Sequence, residues 1–598
     1  KMNINSNIES ILKNGFNLFQ SENYIDAIHE FEKAYILDNQ YPKTLYLLGL
    51  AYAVTKNFYK AETFLLKALK KNNEDYFINY NLAKVYNDLN LYDKSLPFHK
   101  KVIEINPNKY EGWLNYGLSL KNLKIYDQAL ECFKKSLDLN NNITEVYTSI
   151  GDVYYETKDY NKALTNYTKS IELKKNIPEV LTKLGATYRH LRLFDKAIDY
   201  HKRAIKYKNN FLEAYVNLAI CYRGLFDFKN AILHINKALE INPKFEIAII
   251  NKAIIYSDLG ELEKSEKYYL QVLKINEHNF EAHTNLGILY LSQLNFKKGW
   301  QHYNKRSKTK FGNSILNIEK NTWNGYEKIS SLLITSEQGI GDQILYSSML
   351  REVGSVCEKI HLVCDDKLVK VFKNSFVNIN VITKEKFKEN KSKILFEKHI
   401  KIGELGNFFR NDISKFSNVK FPYIIDNKDI TRNLHPKIKQ QNKIICGLSW
   451  KSTNKEIGMN KSIILDKLTN VINIEKIEFV NLQYGDVSNE VENFNNLNKN
   501  NIKIIDKIDI TNDIESLISV IKNCDFILTT SNTTAHLSAA MNIETLVMVP
   551  YGRGKLHYWG IDNTTPWYPS VKIFRQEKNH TWDKTILDVE KYIVNKYT

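Results

Sequence analysis

The chain has 598 residues, too many for one hydrophobic core, so we expect about two to four domains. Hydrophobic residues make up 43% and charged residues 25% of the chain, a balance that excludes wholesale disorder. No run of about 18 uncharged apolar residues occurs, so we expect no transmembrane segment. The first residues, KMNINSNIESILKNG, have no apolar stretch before a small-residue cleavage site. We therefore expect no secretory signal and a cytoplasmic protein.

The net charge of +17 raises the question of a nucleic-acid partner. The basic residues are mostly lysines scattered through a chain rich in Lys, Asn and Ile, without a long basic run or a nucleic-acid motif. We therefore expect no nucleic-acid partner. The cysteines never form a C-x-x-C pair or a zinc-ligand spacing, and they are interpreted as reduced core thiols: Cys132, Cys221, Cys357, Cys364, Cys446 and Cys524.

A 34-residue period runs through the N-terminal half of the chain. Small residues recur at this spacing in one series, and a second series of small residues follows each of them by twelve positions. Tyr stands three residues after the first series in seven of nine units. The first series is Gly15, Gly49, Ala83, Gly117, Gly151, Gly185, Ala219, Ala253 and Gly287, and the second is Ala27, Ala61, Ser95, Ala129, Ala163, Ala197, Ala231, Ser265 and Gly299.

Small residues on two paired helices let the helix backbones approach, and the tyrosines are expected mostly to pack beside them. One such unit cannot bury its apolar face alone, so stacked units form a solenoid. The sequence resembles tetratricopeptide repeats over all nine units, within residues 1–310. This resemblance implies a right-handed superhelix whose inner groove holds a protein or peptide. The alternative is an array that only spaces or dimerises the protein, so an oligomer stays open.

From residue 332 the pattern changes to short apolar runs between helical segments. Continuous apolar strands between helices predict parallel α/β sheets that are buried on both faces. Two blocks, 329–438 and 439–582, predict Rossmann-like halves with ligands at the carboxyl ends of their strands. The predicted strands are 332–335, 360–364, 444–449, 477–483, 502–505, 526–530 and 545–550, and the predicted helices are 341–353, 463–471, 514–522, 533–541 and 585–595.

Three strand-end loops carry polar residues suited to chemistry. The first is T-S-E-Q-G-I-G-D-Q at 335–343. The second is G-L-S-W-K-S at 447–452, followed by K-S at 461–462, and the third is T-T-S-N-T-T-A-H-L at 529–537. Hydroxyls, ammonium groups and free amides at a helix N-terminus suit a diphosphate. The structural alternatives are an ordinary helix entry at Asp342, helix capping by Ser531 or Asn532, and a core imidazole at His536.

These loops carry a family resemblance. E-Q-G-I-G-D-Q at 337–343, S-W-K-S at 449–452, N-L-Q-Y-G-D at 481–486, S-N-T-T-A-H-L at 531–537 and P-W-Y-P at 566–569 look like one known set. They resemble the tetratricopeptide proteins that end in a heptosyltransferase-type domain of the ninth glycosyltransferase family. Over residues 311–598 the resemblance implies a GT-B fold with the acceptor on the N-terminal half, about 329–438, and the nucleotide-sugar on the C-terminal half, about 439–598. It implies inversion at the anomeric carbon.

The resemblance also implies roles for individual residues. Asp342 matches the family's Gly-Asp aspartate, the general base for the acceptor hydroxyl. Gln338, Gly339 and Gly341 belong to the same acceptor-side loop. Lys451, with Ser449 before it, matches a basic position that stabilises the leaving diphosphate. The segment from Ser531 through Asn532, Thr533 and Thr534 to His536 matches the family's Asp-Thr-Gly-x-x-His segment, which cradles the donor phosphates and ribose.

The sequence departs from the family pattern at two positions. Ser531 stands where many members have Asp, and Thr533 stands where they have Gly or Ala. An Asp-x-Asp triplet is absent from the sequence, so we expect neither a metal nor another cofactor beside the nucleotide-sugar substrate. Lys555, in the Gly-Arg-Gly-Lys loop at 552–555, is expected to contact donor phosphate, and Tyr558 and Trp559 to stack on a sugar or base. The alternative for this loop is a solvated turn with one core Trp, and we expect Trp582 and the terminal helix to pack back across the cleft.

The leading hypothesis is an inverting glycosyltransferase whose repeats recruit the acceptor, either a protein or a surface polysaccharide precursor. Repeats before a GT-B domain also occur in peptide O-linked N-acetylglucosamine transferases, but their catalytic region is much longer than the residues available here. The alternative from a different class is a scaffold whose repeats bind a partner and whose degenerate α/β region binds a nucleotide without catalysis.

Overall fold

A computed structural model describes residues 2–308, 318, 322–391, 393–439, 443–454, 457–506, 508–560 and 562–598. The chain divides into two compact units, Lys1–Asn242 and Pro243–Thr598. The domain boundary predicted at 310–311 lies outside the described residues. Within the described residues, the last helices of the repeat period belong to the same compact unit as the α/β region.

The predicted repeats are helix pairs. The first unit contains α1 Met2–Gln20, α2 Tyr24–Leu37, α3 Pro42–Val54, α4 Phe58–Leu69, α5 Tyr76–Asp88, α6 Tyr92–Ile105, α7 Tyr110–Asn122, α8 Tyr126–Leu139, α9 Thr144–Glu156, α10 Tyr160–Leu173, α11 Pro178–His190, α12 Phe194–Tyr207, α13 Leu212–Gly224 and α14 Phe228–Ile241. The second unit begins with α15 Glu246–Asp258, α16 Leu262–Ile275, α17 Phe280–Ser292 and α18 Phe296–Tyr303, and a short 3-10 helix, Asn304–Lys308, follows them.

The packing confirms the reason for the small residues. A Cβ added at Gly49 would lie 2.6 Å from the side chain of Leu65 on the paired helix, and one at Gly117 would lie 2.6 Å from Phe133. The periodic tyrosines pack as predicted. Tyr52 and Tyr86 are buried, and their hydroxyls donate to Glu32 at 2.6 Å and to Glu62 at 2.8 Å.

The turn inside each helix pair repeats one backbone conformation. One residue of every turn has a positive φ, and these residues follow the 34-residue period. Only one of them is glycine, so the left-handed conformation alone does not demand glycine at this place. The series is Glu22, Lys56, Asn90, Lys124, Lys158, Arg192, Phe226, Gly260 and Leu294.

The α/β region contains two sheets whose strand pairs are parallel. The first has the order β3-β2-β1-β4, and the second has the order β10-β9-β8-β5-β6-β7. The first sheet contains β1 Ile329–Thr335, β2 Cys357–Cys364, β3 Ile379–Thr383 and β4 Lys398–Lys401, and the second contains β5 Ile444–Ser449, β6 Ile477–Asn481, β7 Ile502–Lys503, β8 Phe526–Thr530, β9 Thr545–Val549 and β10 Val571–Arg575. The second sheet therefore has the doubly wound order of dinucleotide-binding folds, with its direction of winding reversed between β5 and β8.

Helices alternate with these strands, as the sequence predicts. Predicted helix 341–353 is divided into α19 and α20, and predicted helix 463–471 is a 3-10 helix, Leu465–Leu468, followed by α26. The helices are α19 Ile340–Ser347, α20 Leu350–Val353, α21 Val369–Ser375, α22 Lys384–Glu389, α23 Gly406–Phe409, α24 Lys428–Ile438, α25 Gly458–Lys461, α26 Thr469–Ile472, α27 Ser488–Leu497, α28 Ile514–Lys522, α29 Thr533–Ala540 and α30 Asp583–Tyr597.

Two features of the α/β region differ from the sequence predictions. The strands β3, β4 and β10 were not predicted, and each lies at an edge of its sheet. Edge strands are less enclosed and lack the continuous apolar run of a central parallel strand. The prediction that α30 and Trp582 cross the cleft is wrong. They pack within the C-terminal half, where the ring of Tyr597 stacks on Phe526 with 4.3 Å between centroids.

Candidate functional site

The loop after β1 joins the first sheet to α19 and carries Asp342 in the first turn of that helix. Gln338 in this loop donates from Nε2 to the hydroxyl of Tyr303, 2.6 Å away on α18. Gly339 is the N-cap residue of α19, with an ordinary φ of −63°. Gly341 lies against α29, since a Cβ there would be 2.8 Å from Cδ2 of His536. The loop is thus held between the last repeat and the C-terminal half.

The carboxyl group of Asp342 lies in an electrostatically unusual place. Burial raises its pKa to about 6, while the charges of Lys461 and Arg306 oppose that shift and the charge of Glu337 adds to it. A carboxyl group with this pKa is mostly ionised at neutral pH and returns a proton readily below it. Asp342 therefore lies within the electrostatic reach of both the C-terminal half and the end of the repeats.

Lys461 is a candidate functional residue to which the family resemblance assigns no role. It ends α25, is 5% exposed, and donates from Nζ to the backbone carbonyl of Ser531 at 3.2 Å. Burial lowers its pKa to about 8, against the opposing pull of the Asp342 carboxylate. Among the described residues no carboxylate is within ion-pair distance of its ammonium group. The signal in the sequence was Lys461-Ser462 after β5, but the family position was assigned to Lys451.

The structure directs the side chain of Lys451 away from Ser531. Its ammonium group pairs with a carboxylate oxygen of Glu490 on α27, and the indole of Trp450 donates to the other oxygen at 3.2 Å. The side-chain oxygen of Gln483 accepts from the backbone N–H groups of Trp450 and Lys451, at 2.9 and 2.7 Å. A role for Lys451 toward a diphosphate thus requires the Glu490 pair to open.

Asn532 ties two neighbouring strand ends together. Its side-chain oxygen accepts from the backbone N–H groups of Thr534 at 3.0 Å and Ala535 at 3.4 Å, so it caps α29 as the structural alternative predicts. Its amide group donates to Ser449 Oγ at 2.8 Å. The carboxyl ends of β5 and β8 are therefore joined where the sheet reverses its winding, the place at which doubly wound folds bind ligands.

The remaining residues of the third loop differ in their availability. Ser531 Oγ accepts from the indole N–H of Trp559 at 2.7 Å. The buried hydroxyl of Thr534 has no hydrogen-bond partner among the described residues. Thr533 begins α29 and is partly exposed. Thr533 is thus the accessible residue of this loop, and Thr534 holds its buried hydroxyl without a partner among the described residues.

His536 matches the core-imidazole alternative. Burial lowers its pKa to about 3, and one ring nitrogen lies 2.9 Å from the hydroxyl of Tyr568. Its ring packs against Trp559, which is fully buried, with 5.4 Å between centroids. A neutral, enclosed imidazole and a core indole are structural, so this geometry does not favour stacking of Trp559 on a sugar or base.

The loop after β9 carries Lys555 and contacts the second-last repeat. Burial lowers the pKa of Lys555 to about 8, and the charge of Arg575 adds to this shift. The hydroxyl of Tyr551 donates to the backbone carbonyl of Leu259 at 3.0 Å. A Cβ at Gly260 would lie 2.5 Å from that hydroxyl, which explains why this turn alone in the repeat series has glycine.

Comparison with known proteins identifies tetratricopeptide repeats in the N-terminal half of the chain. The tetratricopeptide repeat family matches residues 78–109, 110–143, 212–245 and 248–279, and a TPR repeat matches 151–190. FlbA of Caulobacter vibrioides is 22% identical over 320 residues, which are 48% of this chain and 51% of FlbA. The chain thus spans about half the length of this curated relative. None of the described helices is long and apolar enough to cross a membrane.

Two solved structures share the helical repeats. A tetratricopeptide repeat protein from Parabacteroides merdae is 16% identical, covers 40% of this chain and 95% of its own, and has a TM-score of 0.35. YrrB, described as a TPR protein with an unusual peptide-binding site, is 21% identical, covers 31% of this chain and 97% of its own, and has a TM-score of 0.27. With TM-scores this low, neither structure adds to what the repeat-family matches show. The chain therefore combines tetratricopeptide repeats in its first 300 or so residues with a C-terminal α/β region of parallel sheets.

Proposed function

We propose that the protein is an inverting, metal-independent glycosyltransferase of the GT-B type. It moves a sugar from a nucleotide-sugar to an acceptor that the repeats recruit as a protein or peptide. The observation that carries this proposal is the electrostatic interaction between Asp342 and Lys461. A half-buried carboxyl group and a buried ammonium group, beyond ion-pair distance of each other, interact beside the strand ends where a doubly wound sheet binds ligands.

In the proposed reaction Asp342 accepts the proton of the acceptor hydroxyl. The hydroxyl oxygen attacks the anomeric carbon, and the bond from that carbon to the diphosphate oxygen breaks on the opposite side. Inversion follows from this single displacement. The pKa of about 6 leaves Asp342 ionised at neutral pH and therefore able to act as the base.

The leaving diphosphate needs positive charge and hydrogen-bond donors. Lys461 supplies a buried cation and Lys555 a half-buried one, and the N-terminal turn of α29 at Thr533 and Thr534 supplies the positive end of a helix dipole. Ser449 and Asn532 hold the two strand ends together behind that turn. His536 keeps α29 packed against α19 through Gly341. These groups support a metal-independent departure of the diphosphate.

The experiment uses the full chain and radiolabelled nucleotide-sugars. Wild type and Asp342→Asn are compared for nucleoside-diphosphate binding by calorimetry and for sugar transfer to acceptors in a cell extract. We expect both proteins to bind the same nucleotide and only the wild type to transfer sugar, at a rate at least about a hundredfold above the variant. Asp366→Asn, an exposed carboxylate after the neighbouring strand, serves as the control and should retain transfer.

A second arm tests the ammonium group. Lys461→Met should weaken binding of the nucleoside diphosphate about tenfold or more, because a charge-assisted contact to phosphate is lost. Lys467→Met, which removes an exposed lysine paired with Asp583, should leave binding unchanged. Equal transfer by wild type and Asp342→Asn, or no binding of any nucleoside diphosphate, would overturn the proposed enzyme.

The second candidate is a scaffold that binds a nucleotide without catalysis. The observation that favours it is the Lys451–Glu490 pair, together with the Ser531 hydroxyl held by Trp559 where the family has a carboxylate. A scaffold binds a nucleotide in the calorimetric assay and transfers no sugar. For either function we propose a cytoplasmic location, which the free, buried cysteines support.

A further inference from the structure

The last repeat ends in a buried arginine. Arg306 lies in the 3-10 helix after α18, and its side chain is 3% exposed. The guanidinium group donates from Nη1 to the backbone carbonyl of Tyr303 at 3.2 Å, and its central carbon lies 4.2 Å from the centroid of the Tyr303 ring. Backbone and aromatic contacts on the repeat side thus fix the direction of the guanidinium group.

The other end of Arg306 reaches the loop that carries Asp342. Arg306 Nη2 pairs with Glu337, whose side chain is fully buried. Lys401 lies 3.8 Å from the second carboxylate oxygen of Glu337. A Cβ at Gly403 would collide with the guanidinium group and lie 3.0 Å from the carboxylate, so only glycine leaves room for this pair. The buried Arg306–Glu337 ion pair therefore depends on glycine at position 403.

The next residue of the loop is also held by the last repeat. Gln338 donates to Tyr303 at 2.6 Å and accepts at its backbone carbonyl from Gln343 at 2.9 Å. Gly339 then caps the N-terminus of α19, whose first turn contains Asp342. Consecutive side chains immediately before the helix are thus anchored to the end of the repeats, and the position of Asp342 depends on them.

We propose that Arg306 is a positioning residue for the transfer reaction: through Glu337 it holds the 335–342 loop so that Asp342 faces the acceptor hydroxyl. This inference rests on the proposed function and extends it, because it makes the last repeat part of the catalytic apparatus. Shortening the repeats at their C-terminal end would then affect turnover directly and not only acceptor recruitment.

The electrostatics give Arg306 and Glu337 effects of opposite sign. Arg306 lowers the pKa of Asp342 and Glu337 raises it. The other groups that face Asp342 are Lys461, Tyr303, Tyr346, Tyr558 and Tyr568, with the neutral His536 beyond Gly341. Loss of Arg306 leaves two carboxylates, Glu337 and Glu404, with Lys401 as their neighbouring cation among the described residues, so the pKa of Asp342 rises. Loss of the Glu337 charge lowers it.

The test compares Arg306→Gln, Arg306→Lys and Glu337→Gln in the full chain. Transfer is measured against pH, with kcat and the donor KM determined separately. For Arg306→Gln we expect kcat to fall about tenfold or more, the donor KM to stay within about threefold, and the acidic limb of the profile to move to higher pH. Arg306→Lys should recover part of kcat, and Glu337→Gln should move the limb to lower pH.

Arg410→Gln is the matched control. Arg410 is also a buried arginine, pairs with Glu352 at 2.6 Å, and lies off the 335–342 loop. The Arg410→Gln substitution should lower the melting temperature and leave the pH profile of transfer unchanged. Should Arg306→Gln fail to fold, the other two variants decide. The proposal then depends on the direction in which Glu337→Gln moves the acidic limb and on the kcat that Arg306→Lys retains.

The two proposals fail in different ways. If the wild type transfers sugar and Arg306→Gln and Glu337→Gln both keep the wild-type acidic limb, the positioning role is wrong. The proposed glycosyltransferase function is then unaffected. If the wild type transfers no sugar, the proposed function fails and the positioning role falls with it.

Discussion

Gly341 and His536 are in direct contact: a Cβ at position 341 would lie 2.8 Å from Cδ2 of the imidazole. The imidazole cannot retreat easily, because Tyr568 lies 2.9 Å from its ring nitrogen and the rings of Tyr558 and Trp559 pack around it. This contact joins the helix that carries Asp342 to the helix at the end of β8.

Gly341→Ala should therefore separate α19 from α29. Overpacking of this kind costs about 1–3 kcal/mol, so we expect a lower melting temperature and weaker nucleotide binding. Gly339→Ala is the matched control, since its φ suits alanine and the nearest atom to its Cβ is 3.8 Å away. Equal melting temperatures for the two variants would contradict the close contact.

The raised pKa of Asp342 predicts a pH-dependent stability difference. Its pKa rises from 3.8 to about 6 on folding, so the folded state binds the proton more tightly than the unfolded state. The stabilisation by the protonated carboxyl is complete below about pH 4 and is lost as the pH rises through about 6. Asp342→Asn should thus gain stability over the wild type between those values, by up to about 3 kcal/mol.

Unfolding of both proteins by urea at several pH values measures this difference. Tyr326→Phe, at an exposed tyrosine, removes no group that ionises between pH 4 and 7 and should show a constant difference from the wild type. The difference in the free energy of unfolding between Asp342→Asn and the wild type could stay constant between pH 4 and 7. That result would show that folding does not raise the pKa of the Asp342 carboxyl group.

Gly260 and Tyr551 should be energetically coupled. Gly260→Ala costs about 1 kcal/mol from its positive φ and more from the Tyr551 hydroxyl, 2.5 Å from the added Cβ. In a Tyr551→Phe background the second part disappears. A double-mutant cycle should give a coupling energy of about 0.5–3 kcal/mol. Tyr326→Phe, at an exposed tyrosine, should show no coupling with Gly260→Ala.

The boundary of the second compact unit, Pro243–Thr598, predicts where the chain can be divided. Trp300 is fully buried, donates from its indole to the backbone carbonyl of Arg410 at 2.7 Å, and belongs to the core that contains both sheets. A fragment that begins at residue 243 should fold cooperatively with a melting temperature close to that of the full chain. One that begins at residue 311 lacks Trp300, Tyr303 and Arg306 and should be aggregated or molten. Equal melting curves for the two fragments would show that the last repeats are dispensable for folding.

The repeats and the central strands could be predicted from the amino-acid sequence alone. A helix pair must place small residues at fixed positions, as at Gly49 against Leu65, so its packing is written as a period. A central parallel strand such as β8 is buried on both faces, so it appears as a continuous apolar run. The edge strands β3, β4 and β10 lack that run and were missed.

The contacts between polar side chains could not be predicted from the sequence and follow from the three-dimensional fold. Lys451 and Lys461 both follow β5, but Lys461 interacts with Ser531 and Asp342, while Lys451 pairs with Glu490. Arg306 and Glu337 lie far apart in the sequence without any shared pattern, yet they form a buried ion pair. Periodicity records contacts that recur along the chain, whereas a site is a single meeting of distant residues, and its partners depend on how the elements fold together.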